Sequence, residues 1–189
     1  MPISVEKTNI DGVLLVKPHL FFDERGLYKK YYEKEQLREQ GISVDFTEAS
    51  DLYSTKGVLR GLHYQEEYSQ AKLIHIIQGA IYDVAVDLRP GSKTFGKHYG
   101  ALLDSKTQES IFIPEGFAHG FISLTEQTIF SYMCSGKYCP EYCGGIVWDD
   151  EELAIRWPLK EYGISKVICT EKDKNWPTFR EYCEQRGIK

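Results

Sequence analysis

The chain has 189 residues, 42% hydrophobic and 27% charged, with a net charge of −5. That is enough apolar material for one domain's core, and the acidic balance excludes the basic surface that non-specific nucleic-acid binding needs. No apolar run approaches the ~18–20 residues of a membrane span, and the start MPISVEKTNIDG lacks a signal peptide's apolar stretch. The expectation is a cytoplasmic protein that binds neither membrane nor nucleic acid.

In chain order, the first element read is residues 33–40, EKEQLREQ, a short polar helix stopped by Gly41. From about 58 to 148 the text is strand-like. LIHII (73–77), AIYDVAVDL (80–88), ESIFIP (109–114), GFISL (120–124) and TIFSYMC (128–134) are short and rich in β-branched or aromatic residues. Gly, Pro, Ser and Asp punctuate them at sandwich or barrel spacing. At Pro177-Thr178 a capping-box pattern, Thr178 with Glu181, opens a C-terminal helix over about 178–186. Phe179, Tyr182 and Cys183 recur there at helical spacing. No repeat or linker divides the chain, so residues 1–189 read as a single all-β domain with a few peripheral short helices. About ten strands close most economically as a double-sheet jelly roll barrel.

Alternation sorts the polar residues of these strands onto faces. In 80–88, Ile81, Asp83, Ala85 and Asp87 share one face, so two carboxylates sit among apolar neighbours and face either solvent or a polar cavity. In LRGLHYQ (59–65), Leu59, Gly61, His63 and Gln65 share a face, which leaves Arg60 on the other unless a bulge or an interface role intervenes. Arg60, His63, Lys72 and the Gly-flanked His119 together bring enough cationic side chains to hold an anionic ligand. A mid-strand histidine such as His63, taken alone, is more often a satisfied structural residue than a catalyst. A metal site on His63, His119 and Asp83 is a second reading, although the chain lacks the H-x-H pair usual in metal-binding barrels. The five cysteines, odd in number, read as reduced thiols. Cys134, Cys139 and Cys143 lie close together but without the paired C-x-x-C spacing of a zinc site. The 13 tyrosines suit walls that meet a polar ligand, and equally suit strands.

Several blocks carry a resemblance: FDERG (22–26), LRGLHYQ (59–65), QAKL (70–73), DVAVDLR (83–89), IPEGFAHGF (113–121), Tyr138-x-Pro140, WDDEELAIRWP (148–158) and EKDKNWP (171–177). In this order, over roughly residues 10–177, the chain resembles the dTDP-4-dehydrorhamnose 3,5-epimerase family. The resemblance implies a cupin-like jelly roll, a homodimer exchanging N-terminal strands, and no metal or cofactor. The implied substrate is a nucleotide-linked 4-keto-6-deoxy sugar, epimerised through an enolate. By the same resemblance His63 is the base, and Asp173 its partner, with Asp83 the alternative. Tyr132 is the acid on the opposite ring face. Lys72 stabilises the enolate oxygen with help from His119. Arg25 and Arg60 meet the diphosphate and nucleotide, Tyr138 walls the sugar pocket, and Lys172 joins the substrate contacts.

The departures from the family pattern carry their own expectations. Lys30 stands where a Glu is common, and Glu48, Ala49 and Ser50 where Q-D-N is common. Leu52 replaces a Ser, His75 an Arg and Cys143 a Glu. Lys30, Glu48 and Ser50 fall at nucleotide-recognition positions, and a site built for one base edge rejects another when polar groups are left unpaired. The expectation is a carrier base other than thymine, with CDP, GDP and UDP as candidates. Cys143 and Leu52 lie nearer the sugar, which leaves open a 3-only or 5-only epimerase, or a deoxyheptose or dideoxyhexose substrate. Readings from other classes are a metal-dependent cupin enzyme and a non-catalytic nucleotide-sugar-binding module.

Overall fold

The structure is a computed structural model that describes residues 3–188. Two antiparallel sheets face each other. One has six strands, in the order β1 (Ser4–Lys7), β2 (Leu14–Lys17), β10 (Ser110–Ile113), β7 (Lys72–Gln78), β12 (Thr128–Ser135) and β5 (Phe46–Ser54). The other has five: β13 (Cys143–Gly145), β6 (Leu59–Gln65), β11 (Phe117–Ser123), β8 (Ala80–Asp87) and β9 (His98–Asp104). β3 (His19–Asp23) and β4 (Gly26–Lys30) pair with each other as a separate hairpin. The ladders do not close on themselves, so the expected jelly roll is an open sandwich rather than a sealed barrel.

Alternation builds the core. Ile74 and Ile76 of β7, Phe130 of β12 and Ile111 of β10 point inward and meet Ile81 and Ala85 of β8 and Phe117 and Phe121 of β11. Each such fully buried large side chain contributes about 1.5–3 kcal/mol. β8 is covered on its other face too, where Val84 and Val86 meet Ile146, Leu153 and Tyr182 from the C-terminal part of the chain. This double burial is why AIYDVAVDL is apolar at most positions. Neither of its carboxylates faces solvent. Asp87 is fully buried and accepts from Arg89, Ser92 and Thr94, which holds its carboxyl down at about 2. Asp83 is equally buried and lies against His119.

One irregularity sets up the site. His119 of β11 stands opposite His63 of β6, yet Phe121 stands opposite Arg60. β6 therefore carries one extra residue, a bulge at Gly61 that resets the alternation. Leu59 and Leu62 both turn to the outer apolar layers, while Arg60 and His63 both turn inward. Strict alternation, which separated Arg60 from His63, fails here. Gly61 has φ 136°. A Cβ on it would lie 2.5 Å from Gly120 Cα, so only glycine fits.

Among the described residues, three short α-helices and a 3-10 turn (Pro140–Tyr142) complete the fold. α1 (Lys34–Glu39) starts on Glu33, whose side chain accepts from Glu35 N, as expected for 33–40. α2 (Glu171–Lys174) is capped by Thr170 and was not foreseen. α3 (Phe179–Gln185) carries the expected capping box of Thr178 and Glu181. Among the described residues, no helix is long and apolar enough to cross a membrane.

Candidate active site

A cavity of about 340 Å³ lies between the two sheets. Its floor is the end of the core, where Phe121 meets Phe130 edge to face with centroids 4.6 Å apart. The first sheet supplies one wall by register. Tyr132 of β12 stands between Ile74 and Ser50, and Cys134 stands between Lys72 and Glu48. Alternation along β7 puts Lys72 on the same face as Ile74 and Ile76, at the edge where the core ends. The second sheet supplies the other wall, with Arg60 and His63 from β6 and His119 from β11.

Two histidine–carboxylate pairs sit side by side on that second wall. His63 Nε2 lies 2.6 Å from Asp173 Oδ1, and His119 Nε2 lies 2.8 Å from Asp83 Oδ2. Of the two aspartates, Asp173 is the one in contact with His63, and Asp83 is in contact with His119. Asp173 is only 3% exposed. Its backbone N–H donates to the Thr170 cap at 3.1 Å, and its Oδ1 also accepts from Trp176 Nε1 at 3.3 Å. With Nε2–H donating to Asp173, the lone pair of neutral His63 is on Nδ1.

Burial pushes the His63 imidazole below its ordinary 6.5, assisted by the charges of His119 and Lys172, while Asp173 pulls the other way. His63 is therefore neutral and basic at neutral pH. Burial pushes the Tyr132 phenol above 10, with the Cys134 and Glu48 charges adding to the rise and a Ser50 hydrogen bond opposing it. Tyr132 is therefore a protonated donor at neutral pH. Burial lowers the Lys72 ammonium, against the pull of Cys134, Cys143, Asp83 and Glu48.

Gln65 fixes a third side of the cavity. Its Nε2 donates to Tyr68 O at 2.7 Å and Lys137 O at 3.2 Å, and its Oε1 accepts from Cys139 N at 2.7 Å. These bonds pin the loop that carries Tyr138 and leads to Cys143, whose Sγ donates to Cys139 O at 3.6 Å. From α2, Lys172 reaches the cavity with its ammonium 4.9 Å from the Trp176 ring centroid.

The structure thus gathers most of the residues singled out in the sequence, but not all. Ser50 stands beside Tyr132 rather than at a distant nucleotide rim. Arg25 and Lys30 do not line the cavity of their own chain. Their hairpin pairs only with itself: the Arg25 side chain is 82% exposed at its tip and bound to Asp23, and Lys30 stands opposite His19. Among the described residues, no three His, Cys, Asp or Glu side chains converge as a metal-binding group. Gln65 and Trp176 were missed. Gln65 had a signal, since alternation already placed it on the His63 face. Trp176 had only its place three residues after Asp173.

The arrangement has a definite chemical capacity. Facing sheets lie about 10 Å apart, room for one flat ring between them. A ring there has a neutral imidazole on one face and a protonated phenol on the other, with an ammonium at its edge.

Comparison with known proteins gives the same direction. The family model described as dTDP-4-dehydrorhamnose 3,5-epimerase matches residues 7–181. A relative of that name from Methanothermobacter thermautotrophicus is 43% identical, covering 93% of this chain and 94% of its own length. The crystal structure of a dTDP-4-dehydrorhamnose 3,5-epimerase from Elizabethkingia anophelis superposes with a TM-score of 0.89 at 38% identity, covering 96% of this chain and 98% of that one. A Legionella pneumophila dTDP-6-deoxy-D-glucose-3,5-epimerase, solved in complex with dTDP-4-keto-L-rhamnose, also gives 0.89, at 37% identity over 94% of this chain and 93% of its own.

Proposed function

Because this chain belongs to the dTDP-4-dehydrorhamnose 3,5-epimerase family, we propose that it inverts C3 and C5 of a dTDP-linked 4-keto-6-deoxyhexose, with His63 as base and Tyr132 as acid. The reaction class is isomerisation. The observation that carries the residue roles is the placement of His63–Asp173 and Tyr132 on opposite sheets of one cavity, with Lys72 beside them.

The chemistry follows from the substrate. A 4-keto group acidifies the C–H bonds at C3 and C5. Neutral His63 takes one of these protons, and the electron pair moves to the C4 oxygen as an enolate. Asp173 stabilises the resulting imidazolium and fixes its orientation. Lys72 and His119 face the developing oxyanion, a kind of stabilisation whose loss typically costs ~3–4 kcal/mol of barrier. Tyr132 then returns a proton from the other ring face, which inverts the carbon. His63 loses its proton to solvent and Tyr132 regains one before the second carbon reacts.

Substrate contacts follow the same geometry. Arg60 presents a bidentate fork suited to the diphosphate. Tyr138, Lys172, Glu48, Ser50 and Cys143 border the sugar and its linkage. Arg25 and Lys30 reach a nucleotide only in a homodimer, in which the hairpin of one copy covers the cavity mouth of the other. The relatives are named for dTDP sugars, which supports thymidine over the CDP, GDP or UDP carriers suggested by Lys30, Glu48 and Ser50. The mono-epimerase, metal-dependent and non-catalytic readings gain no such support.

Two variants test the roles. His63→Ala loses hydrogen exchange at both carbons, by about 10²–10⁴-fold. Tyr132→Phe keeps much of the exchange while inversion falls. A Tyr132→Phe enzyme that inverts at the wild-type rate contradicts the acid assignment.

A further inference from the structure

The oxygen of Asp173 that holds His63 is shared. Asp173 Oδ1 lies 2.6 Å from His63 Nε2 and accepts a second hydrogen bond, at 3.3 Å, from Trp176 Nε1. The chemistry above makes no use of Trp176. Its ring stands edge-on to His63, with centroids 6.2 Å apart at 70°, and carries the Lys172 ammonium over its face. The seat of the ring is built for it: a Cβ on Gly145 of β13 would lie 2.4 Å from the indole. One side chain therefore touches both the carboxylate that orients the base and the lysine beside it.

We propose that Trp176 is a positioning residue for the catalytic base, holding Asp173 through its indole N–H and Lys172 through its ring face. The proposal rests on His63 being that base. A donor on Oδ1 fixes the rotation of the carboxylate and draws negative charge away from the atom that faces the imidazole. It therefore tempers the pull of Asp173 on a proton at His63. The other charged or titratable groups around His63 are Lys172 from α2, His119 from β11, Arg60 and Tyr64 on β6 itself, Cys143 on the neighbouring β13 with Tyr138 before it, and Lys72, Glu48, Tyr132 and Cys134 across the cavity. Among the described residues, the side-chain bonds to Asp173 Oδ1 come from His63 and Trp176.

Trp176→Phe keeps an aromatic face for Lys172 and deletes the N–H. In the substrate-free variant, the His63 titration midpoint, read from its imidazole proton resonances, rises by about half a pH unit. The acid limb of kcat/KM rises with it, kcat falls about fivefold, and KM is unchanged. Trp176→Leu removes the ring as well, so KM also rises as Lys172 loses its support. A folded Trp176→Phe enzyme with wild-type midpoint and wild-type acid limb overturns the proposal. A midpoint that moves while the acid limb stays put confirms the link from Trp176 to His63 but overturns His63 as the base. The two failures are thus told apart.

Discussion

His63 and Tyr132 are set apart by one physical cause acting on two kinds of group. Burial disfavours charge, so it lowers the imidazole and raises the phenol. In the roles proposed, the base is in its working form above its lowered pKa, and the acid is in its working form below its raised one. kcat/KM therefore has an acid limb below 6.5, where His63 takes up a proton, and an alkaline limb below 10.5, where the Lys72 ammonium lowered by burial loses its proton. A pH profile of kcat/KM checks this, and an acid limb at or above 6.5 contradicts it. The second pair, His119 with fully buried Asp83, lies beside the first because His119 and His63 stand opposite each other on adjacent strands. Alternation and spacing could not assign the two aspartates, and only the resemblance at EKDKNWP pointed to Asp173. Asp173 is 110 positions from His63, and the fold alone brings α2 to β6.

At the scale of elements, the bulge in β6 decides which side chains line the cavity. Gly61→Ala forces a Cβ against Gly120 and places alanine at a strongly positive φ. The variant loses about 2–3 kcal/mol of unfolding free energy in urea titration. Arg60 also turns from the cavity, so KM rises. Unchanged stability and KM in Gly61→Ala contradict the bulge's role. The regular elements were legible because their signals are local. Strands such as TIFSYMC show their composition, and α3 shows its capping box. The bulge was not legible, because the close approach of Gly61 to Gly120 is a tertiary contact. β5 was missed for a different reason. FTEASDLYS turns Glu48 and Ser50 toward the cavity, so its inward face lacks the apolar alternation of a core strand. β3 and β4 were missed because their large apolar residues face outward.

At the scale of the whole molecule, that outward face is the feature a lone chain leaves unexplained. Phe22 is 67% exposed and Tyr28 58%, on the hairpin whose tip carries Arg25. Clustered exposed aromatics of this kind mark an interaction surface. In the proposed homodimer they are covered, and Arg25 and Lys30 complete the neighbouring site. Phe22→Glu then shifts the sedimenting species from dimer to monomer and raises KM. A wild-type protein that sediments as a monomer at micromolar concentration contradicts the arrangement. The family fixes the class of reaction, and the sandwich suits it, since two facing sheets are what place His63 and Tyr132 on opposite walls of one cavity. The most direct test of that account is proton NMR in deuterated water, with 4-keto-6-deoxyhexoses carried on dTDP, CDP, GDP and UDP. The account predicts deuterium entering C3 and C5 of the dTDP sugar, with both centres inverted. No exchange on the dTDP sugar, or exchange at a single carbon, would contradict it.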